Sequence, residues 1–321
     1  MRTELSKATA VSSRASGRAI EVAQYRREIV RMRKPWAAIV VAHPDDEALW
    51  LSSAIASVER TVLCFGTVFE RPRESNAREQ AVAALPLTGL IHLAIPESGV
   101  DPRLDRAVPK LTAEIRIADA YCRARYQSNS AKLSEALRPA LCGFREVYTH
   151  NPWGEYGHLE HIQVYRAVAA LQADLGYTIW FSNYVSAQSW PLARGLSREV
   201  CCAERRIVQP DRNTAIRLMR VYRQYGAWTW SNRHRWPAQE TFFCQPPADD
   251  PAPRRPLCGE WLLDAMKLRL CSPPWLPARR RLPDPDESPR RDVRASLAVD
   301  THTRGASAMT VDTRNEIINA Q

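Results

Sequence analysis

The chain has 321 residues, of which 45 % are hydrophobic and 25 % are charged, values typical of a globular protein with a sizeable core. Its formal net charge is +10, but residues 1–34 alone hold nine Lys/Arg against three Asp/Glu, and residues 35–275 carry only +3. A nearly neutral body argues against nucleic-acid binding, and no stretch approaches the ~20 apolar residues that a membrane span needs.

The N-terminal arm, residues 1–34, contains the stretch "RAIEVAQYRREIVRMR" (18–33), which predicts an amphipathic helix. It lacks the apolar core of a secretory signal, and its Arg, Ser and Ala content leaves a transit peptide as an alternative. The eight cysteines contain no C-x-x-C pair, and a chain of this length does not need disulfides. We therefore expect reduced thiols, a buried Cys64 and a cytoplasmic setting.

From residue 36 onward, short apolar runs alternate with stretches of helical spacing. The predicted strands are residues 36–42, 61–68, 91–95, 146–150 and 177–184. The predicted helices are residues 46–58, 74–85, 108–125, 131–141, 158–171 and 212–225. Strands separated by helices predict an α/β fold with a mostly parallel, Rossmann-like sheet and helices on both faces. The Pro- and charge-rich residues 276–321 predict a largely disordered tail, which leaves 35–275 as the folded domain.

Imidazole and carboxylate side chains follow two of the predicted strands. The first group is His43, Asp45, Asp46 and Glu47, and the second is His150, His158, Glu160 and His161. Ligands of such sheets bind beyond the carboxyl ends of the strands, so we expect the two groups to meet there. Their donor types suit a divalent metal, especially zinc. Positions 158 and 161 lie on one helical face, so one imidazole can bind the metal while the other faces the substrate.

Each group taken alone has a simpler interpretation. Asp45 or Asp46 can cap the helix that follows, and Gly154 and Gly157 can be turn residues only. His150 can be a hydrogen-bonded residue at a strand end rather than one that lines a pocket. Capping does not require histidine at both strand ends, so the joint occurrence favours a metal site.

The motifs "AHPDDE" (42–47) and "GEYGHLEH" (154–161) occur in the same chain. With them, residues 36–200 resemble the PIG-L/LmbE family of zinc-dependent deacetylases. The resemblance implies that His43, Asp46 and His161 hold Zn²⁺ or another divalent metal. It implies an N-acylated amino sugar or glycoconjugate as substrate, chiefly an amide of the N-acetylglucosamine type.

The same resemblance implies roles for four polar residues around the metal. Asp45 would be the general base on zinc-bound water. His158 would stabilise the oxyanion or protonate the leaving amine. Glu160 would orient a histidine as a supporting carboxylate, and Tyr156 stands where some members place a tyrosine that reaches the substrate carbonyl.

The helix after the second strand departs from the family pattern. Members often carry Arg three residues before a Glu, whereas Glu79 is preceded at that distance by Asn76, with Arg73 and Arg78 nearby. We interpret Arg78 and Glu79 as part of a solvated helix face.

Two functions of other classes are compatible with the sequence, which carries no signal for an oligomeric state. The stretch 223–245 is rich in aromatic residues that either pack in the core or form a wall against a sugar or acyl chain: Trp228, Trp230, Trp236, Phe242 and Phe243. One alternative is therefore a non-catalytic sugar-binding module with a structural metal. The other is a nucleic-acid-associated protein that uses the basic arm 1–34.

Overall fold

The computed structural model describes residues 36–68, 70–100, 115–231 and 234–257. The predicted arm at 1–34, with its helix at 18–33, and the predicted tail at 276–321 lie outside the described residues. The nucleic-acid hypothesis, which depends on the arm, therefore stays a prediction.

The strands are β1 (Ala37–Val41), β2 (Arg60–Thr67), β3 (Leu90–Pro96), β4 (Glu146–Thr149), β5 (Thr178–Ser182), β6 (Cys201–Cys202), β7 (Glu204–Val208), β8 (Glu240–Gln245) and β9 (Arg255–Pro256). The helices are α1 (Asp46–Trp50), α2 (Pro72–Ala83), α3 (Ala120–Leu141), α4 (Gly154–Gly157), α5 (Leu159–Leu175), α6 (Trp190–Leu196) and α7 (Arg212–Gln224). A 3₁₀ turn at Ile55–Ser57 follows α1.

Seven of these strands form one sheet in the order β3-β2-β1-β4-β5-β8-β7. The pairs from β3 to β5 are parallel, and β8 and β7 extend the sheet in antiparallel pairing. This confirms the predicted α/β fold with a mostly parallel sheet. The strand order reverses direction between β1 and β4, which is the place where open sheets of this type bind ligands.

The apolar residues of β1 alternate between two cores. Ala38 and Val40 pack on one face with residues of α3 and α5, whereas Ile39 and Val41 pack on the other with residues of α1, α2 and α7. A strand buried on both faces reads as a continuous apolar run rather than an alternating one, which is the pattern of residues 37–42. Helices therefore cover both faces of the sheet, as predicted.

Three predicted helices differ from those in the structure. The helix predicted at 46–58 ends at Trp50, and the chain turns before the short 3₁₀ segment. Of the helices predicted at 108–125 and 131–141, residues 115–119 are not helical, and residues 120–141 form one continuous helix, α3; residues 101–114 are not described. The prediction of a break near 126–130 was therefore wrong.

The second half of the chain adds antiparallel strands that were not predicted. Among its aromatic residues, Trp230, Trp236, Phe242 and Phe243 are buried, so this stretch packs in the core as the simpler interpretation held. Cys64 is fully buried as expected, and the described cysteines form no disulfide. None of the helices in the described part of the chain has the length and apolar character to span a bilayer.

Candidate metal centre

The carboxyl ends of three parallel strands bring the polar residues together. His43 lies two residues beyond β1, Glu97 directly follows β3, and His150 directly follows β4. Asp46 is the first residue of α1, and His161 lies in the first turn of α5. Adjacent parallel strands end at one edge of the sheet, so residues more than 100 positions apart come into contact.

Three donor atoms from the two sequence motifs face one another at nearly equal distances. Nδ1 of His43 lies 3.2 Å from Oδ2 of Asp46 and 3.3 Å from Nε2 of His161. Nε2 of His161 lies 3.4 Å from the same Asp46 oxygen. Ligand atoms about 2.0–2.1 Å from a tetrahedral zinc ion are separated by about 3.3–3.4 Å. The three atoms therefore fit one face of a zinc coordination sphere.

A supporting carboxylate fixes the orientation of each imidazole. Glu160 Oε2 lies 2.9 Å from Nε2 of His43, and Glu155 Oε2 lies 2.7 Å from Nδ1 of His161. Each carboxylate accepts the ring N–H on the side away from the shared face, so the facing nitrogen is the one available to a metal ion. Glu160 is itself held by Ser98, whose backbone N–H and hydroxyl both donate to Oε1.

His150 is part of the support rather than a free ligand. Its Nε2 accepts a hydrogen bond from the Ala42 N–H at 2.8 Å, and its Nδ1 lies 3.0 Å from Glu155 Oε2. Both ring nitrogens are therefore engaged, although Nε2 is also within 3.4 Å of Asp46. The hydrogen-bonded interpretation of His150 describes it better than the pocket-lining one.

The carboxylates of the site create a negative electrostatic potential. Burial lowers the pKa of His43, but hydrogen bonds with Asp46 and Glu160 outweigh burial and raise that pKa to about 10. Burial raises the pKa of Asp46, yet the charges and hydrogen bonds of the neighbouring histidines hold it well below its usual range. A potential that favours a proton on a buried imidazole also favours a cation at its facing nitrogen.

Asp45 has an unusual backbone conformation next to this cluster. Its φ of 104° lies in a region that costs a non-glycine residue about 1–3 kcal/mol. Its side chain does not cap α1; Oδ2 instead accepts from the hydroxyl of Thr229 at 2.6 Å and from the Thr229 N–H at 3.1 Å. Burial and the charge of Asp46 raise the pKa of Asp45 to about 7. The capping interpretation of Asp45 was wrong.

His158 and Tyr156 border the cluster. The His158 ring centroid lies 4.8 Å from that of His43 and 4.7 Å from that of His161. Nδ1 of His158 accepts from the Glu160 N–H, so in the neutral ring the proton is on Nε2. Burial and the charges of His161 and His43 lower the pKa of His158 well below its usual range. Tyr156 is buried, with its ring centroid 5.3 Å from that of His161.

The glycines of the second motif are turn residues. Gly154 has a φ of 64° and Gly157 a φ of 95°, a conformation that favours glycine. Between them, Glu155 has φ 51° and ψ −71°, which is strained for a residue with a side chain. This conformation accompanies the contacts of the Glu155 carboxylate with two histidines.

The sequence interpretation missed Glu155 and Thr229 and misjudged Arg78. Arg78 is 5 % exposed and pairs with Glu97, so it does not lie on a solvated helix face; only its neighbour Glu79 is exposed. Glu155 lies inside the quoted motif "GEYGHLEH", and its position near two histidines in sequence was a usable signal. Thr229 lies 184 residues from its partner Asp45, and nothing in its sequence surroundings marks it.

The Glu155→Gln variant is expected to bind zinc about 10–100-fold more weakly. One carboxylate oxygen becomes an NH2 donor, which must then face either the two histidine N–H groups or the Asn151 N–H that Oε1 accepts. Competition with a chromogenic chelator measures the affinity. The matched control is Glu146→Gln at the opposite end of β4, which should bind zinc like the unaltered protein. Unchanged affinity in Glu155→Gln would contradict the supporting role of this carboxylate.

No family model matches the chain, and no curated protein matches it, so the resemblance to the PIG-L/LmbE family rests on the two motifs. Several solved structures are similar at low identity. A deacetylase–teicoplanin complex from teicoplanin biosynthesis has a TM-score of 0.44 at 10 % identity, covering 67 % of this chain and 100 % of that chain.

Two further solved structures are similar to a comparable degree. The zinc-inhibited form of teicoplanin deacetylase Orf2 has a TM-score of 0.41 at 12 % identity, covering 67 % of this chain and 100 % of that chain. The A40926 pseudoaglycone deacetylase Dbv21 has a TM-score of 0.40 at 13 % identity, covering 71 % of this chain and 100 % of that chain. The assignment of a function therefore has to come from the side chains of the site.

Proposed function

We propose that the chain is a zinc-dependent amidohydrolase that removes the acyl group from the nitrogen of an amino sugar or glycoconjugate. The observation that carries the proposal is the trio of facing donor atoms from His43, Asp46 and His161, each 3.2–3.4 Å from the other two. The amino-sugar substrate follows from the resemblance of the two motifs to the PIG-L/LmbE family.

A divalent cation held by these three residues would supply Lewis-acid activation of water and of the amide carbonyl. Asp45 lies beside the ligand Asp46, and burial raises the pKa of its carboxyl, which favours the uptake of a proton from water. In the proposed reaction Asp45 accepts a proton from the attacking water as the new C–O bond forms. The amide C–N bond then breaks, and the nitrogen leaves with that proton as a free amine.

His158 is suited to stabilise the negative charge that develops on the carbonyl oxygen. Its lowered pKa keeps the ring neutral, and the contact of Nδ1 with the Glu160 N–H places the proton on Nε2. A neutral N–H donor next to the reacting carbonyl lowers the energy of the tetrahedral state more than that of the substrate. Tyr156 borders the same space and is proposed to contact the substrate carbonyl.

The test combines metal analysis with product analysis. The purified chain, loaded with zinc and freed of excess metal, should retain a single zinc ion per chain. It should release acetate and free amine in equal amounts from at least one member of a panel of N-acetylated amino sugars and glycoconjugates. Zinc retention and sugar binding without release of acetate would support the sugar-binding module instead.

A further inference from the structure

Thr229 makes a two-point contact with a single oxygen of Asp45. Its hydroxyl and its backbone N–H both donate to Oδ2, at 2.6 Å and 3.1 Å. Among the described residues no hydrogen bond reaches the other oxygen, Oδ1. Two donors on one carboxylate oxygen fix the rotation of the group and reserve the second oxygen for another partner.

The rest of Asp45 is restrained as well. Its N–H donates to Glu47 Oε2 at 3.2 Å, and Glu47 Oε1 accepts from the Tyr222 hydroxyl at 2.8 Å. Its carbonyl oxygen accepts from the N–H groups of Ala48 and Leu49. Such restraints hold the backbone at a φ of 104°, a conformation that only surrounding structure sustains.

The segment that contains Thr229 is anchored on both sides. Before it, the Ala227 N–H donates to the Tyr222 carbonyl at the end of α7, at 2.7 Å. After it, the Trp230 ring packs edge-on against Trp50, with ring centroids 5.1 Å apart. A donor on an anchored segment can hold a carboxylate in place, whereas a donor on a flexible loop would follow the movements of the carboxylate.

We propose that Thr229 is a positioning residue: it fixes Asp45 so that Oδ1 faces the reacting water. This inference rests on the proposed amidohydrolase function. The contact can otherwise be a structural connection between the segment after α7 and the start of α1. If Thr229 positions Asp45, loss of its hydroxyl lowers kcat and leaves zinc content unchanged. If the contact is only structural, kcat and zinc content fall together.

The kinetic experiment compares Thr229→Val with Thr229→Ser in the zinc-loaded protein. Valine keeps the shape and the backbone N–H but removes one donor, and we expect kcat to fall about 10–100-fold, since small misplacements of reacting groups cost factors of this size. KM and zinc content should stay within about twofold, and serine should restore most of kcat. Thr61→Val, a buried threonine at the opposite end of the sheet, is the matched control and should keep its activity.

Three outcomes would overturn the proposal. One is a Thr229→Val protein that keeps kcat within twofold. Another is a serine variant as impaired as the valine variant. The third is a parallel loss of kcat and zinc, which indicates a structural role.

A thermal unfolding cycle tests the contact without any substrate. Thr229→Val should lower the Tm of the unaltered protein by more than it lowers the Tm of Asp45→Gly, in which the carboxylate is absent and glycine tolerates the positive φ. Equal shifts in both backgrounds would refute the contact. If the unaltered chain hydrolyses no amide while the shifts differ, the proposed function fails and the contact between Thr229 and Asp45 stands.

Discussion

Asp45→Asn is expected to lower kcat for amide hydrolysis by about 10²–10⁴-fold, the range for loss of a general base. An asparagine amide has nearly the same shape and can keep an oxygen toward Thr229, but it cannot take a proton from water. The metal ligands are untouched, so zinc content should not change. Initial rates of acetate release and metal analysis on the same protein measure both quantities.

The same variant should be at least as stable as the unaltered protein. Asparagine adopts positive φ more readily than most residues. The substitution also removes a buried carboxylate, and burial disfavours the ionised form of that group. The expected Tm is therefore equal or higher, the behaviour of a residue retained for chemistry rather than for stability. Asp174→Asn, on the exposed surface, is the matched control for both measurements. Full activity in Asp45→Asn would refute the base.

The parallel part of the fold could be predicted because its strands are continuous apolar runs between helical stretches. The end of α1 could not. Residues 46–58 keep helical apolar spacing, but the chain leaves the helix after Trp50, and Ser52 and Ser53 then donate to Glu240 on β8. That interaction joins residues more than 180 positions apart, so the apolar periodicity of residues 46–58 does not indicate it.

The single long helix α3 was missed for a related reason. The predicted helices left residues 126–130, which are mostly polar, unassigned. Polar groups in a buried helix are costly without partners. In the structure Asn129 donates to the Pro96 carbonyl, and Ser130 accepts from Gln163 of α5. Tertiary partners satisfy these groups, so the helix continues.

The site shows the same division between local and long-range information. Histidine and acid at two strand ends were enough to predict that the two polar groups meet, whereas the choice of His43, Asp46 and His161 among them came from the resemblance. The structure places the facing atoms of these three residues 3.2–3.4 Å apart. Glu160 contacts His43, which is compatible with the supporting role that the resemblance implied, and that role stays a prediction. The environment of Arg78 depends on Glu97 from another strand, which the helix's own pattern does not reveal.

His161→Ala is expected to abolish stoichiometric zinc binding and, with it, amide hydrolysis. The substitution removes one of the three facing donors and also leaves the Glu155 and Asp46 carboxylates without this partner in a buried setting. A ligand at 100 times its Kd stabilises the native state by about 2.7 kcal/mol. Zinc should therefore raise the Tm of the unaltered protein by several degrees and leave that of His161→Ala unchanged.

The matched control for this substitution is His92→Ala, which removes a half-buried histidine of β3 outside the cluster. It should keep the zinc-dependent rise in Tm, and a chelator should reverse that rise in both the control and the unaltered protein. Because Tm is read without substrate, the measurement decides the metal site independently of any activity. A His161→Ala protein that still gains stability from zinc would show that the three facing atoms do not form the binding site, and the amidohydrolase proposal would lose the observation that carries it.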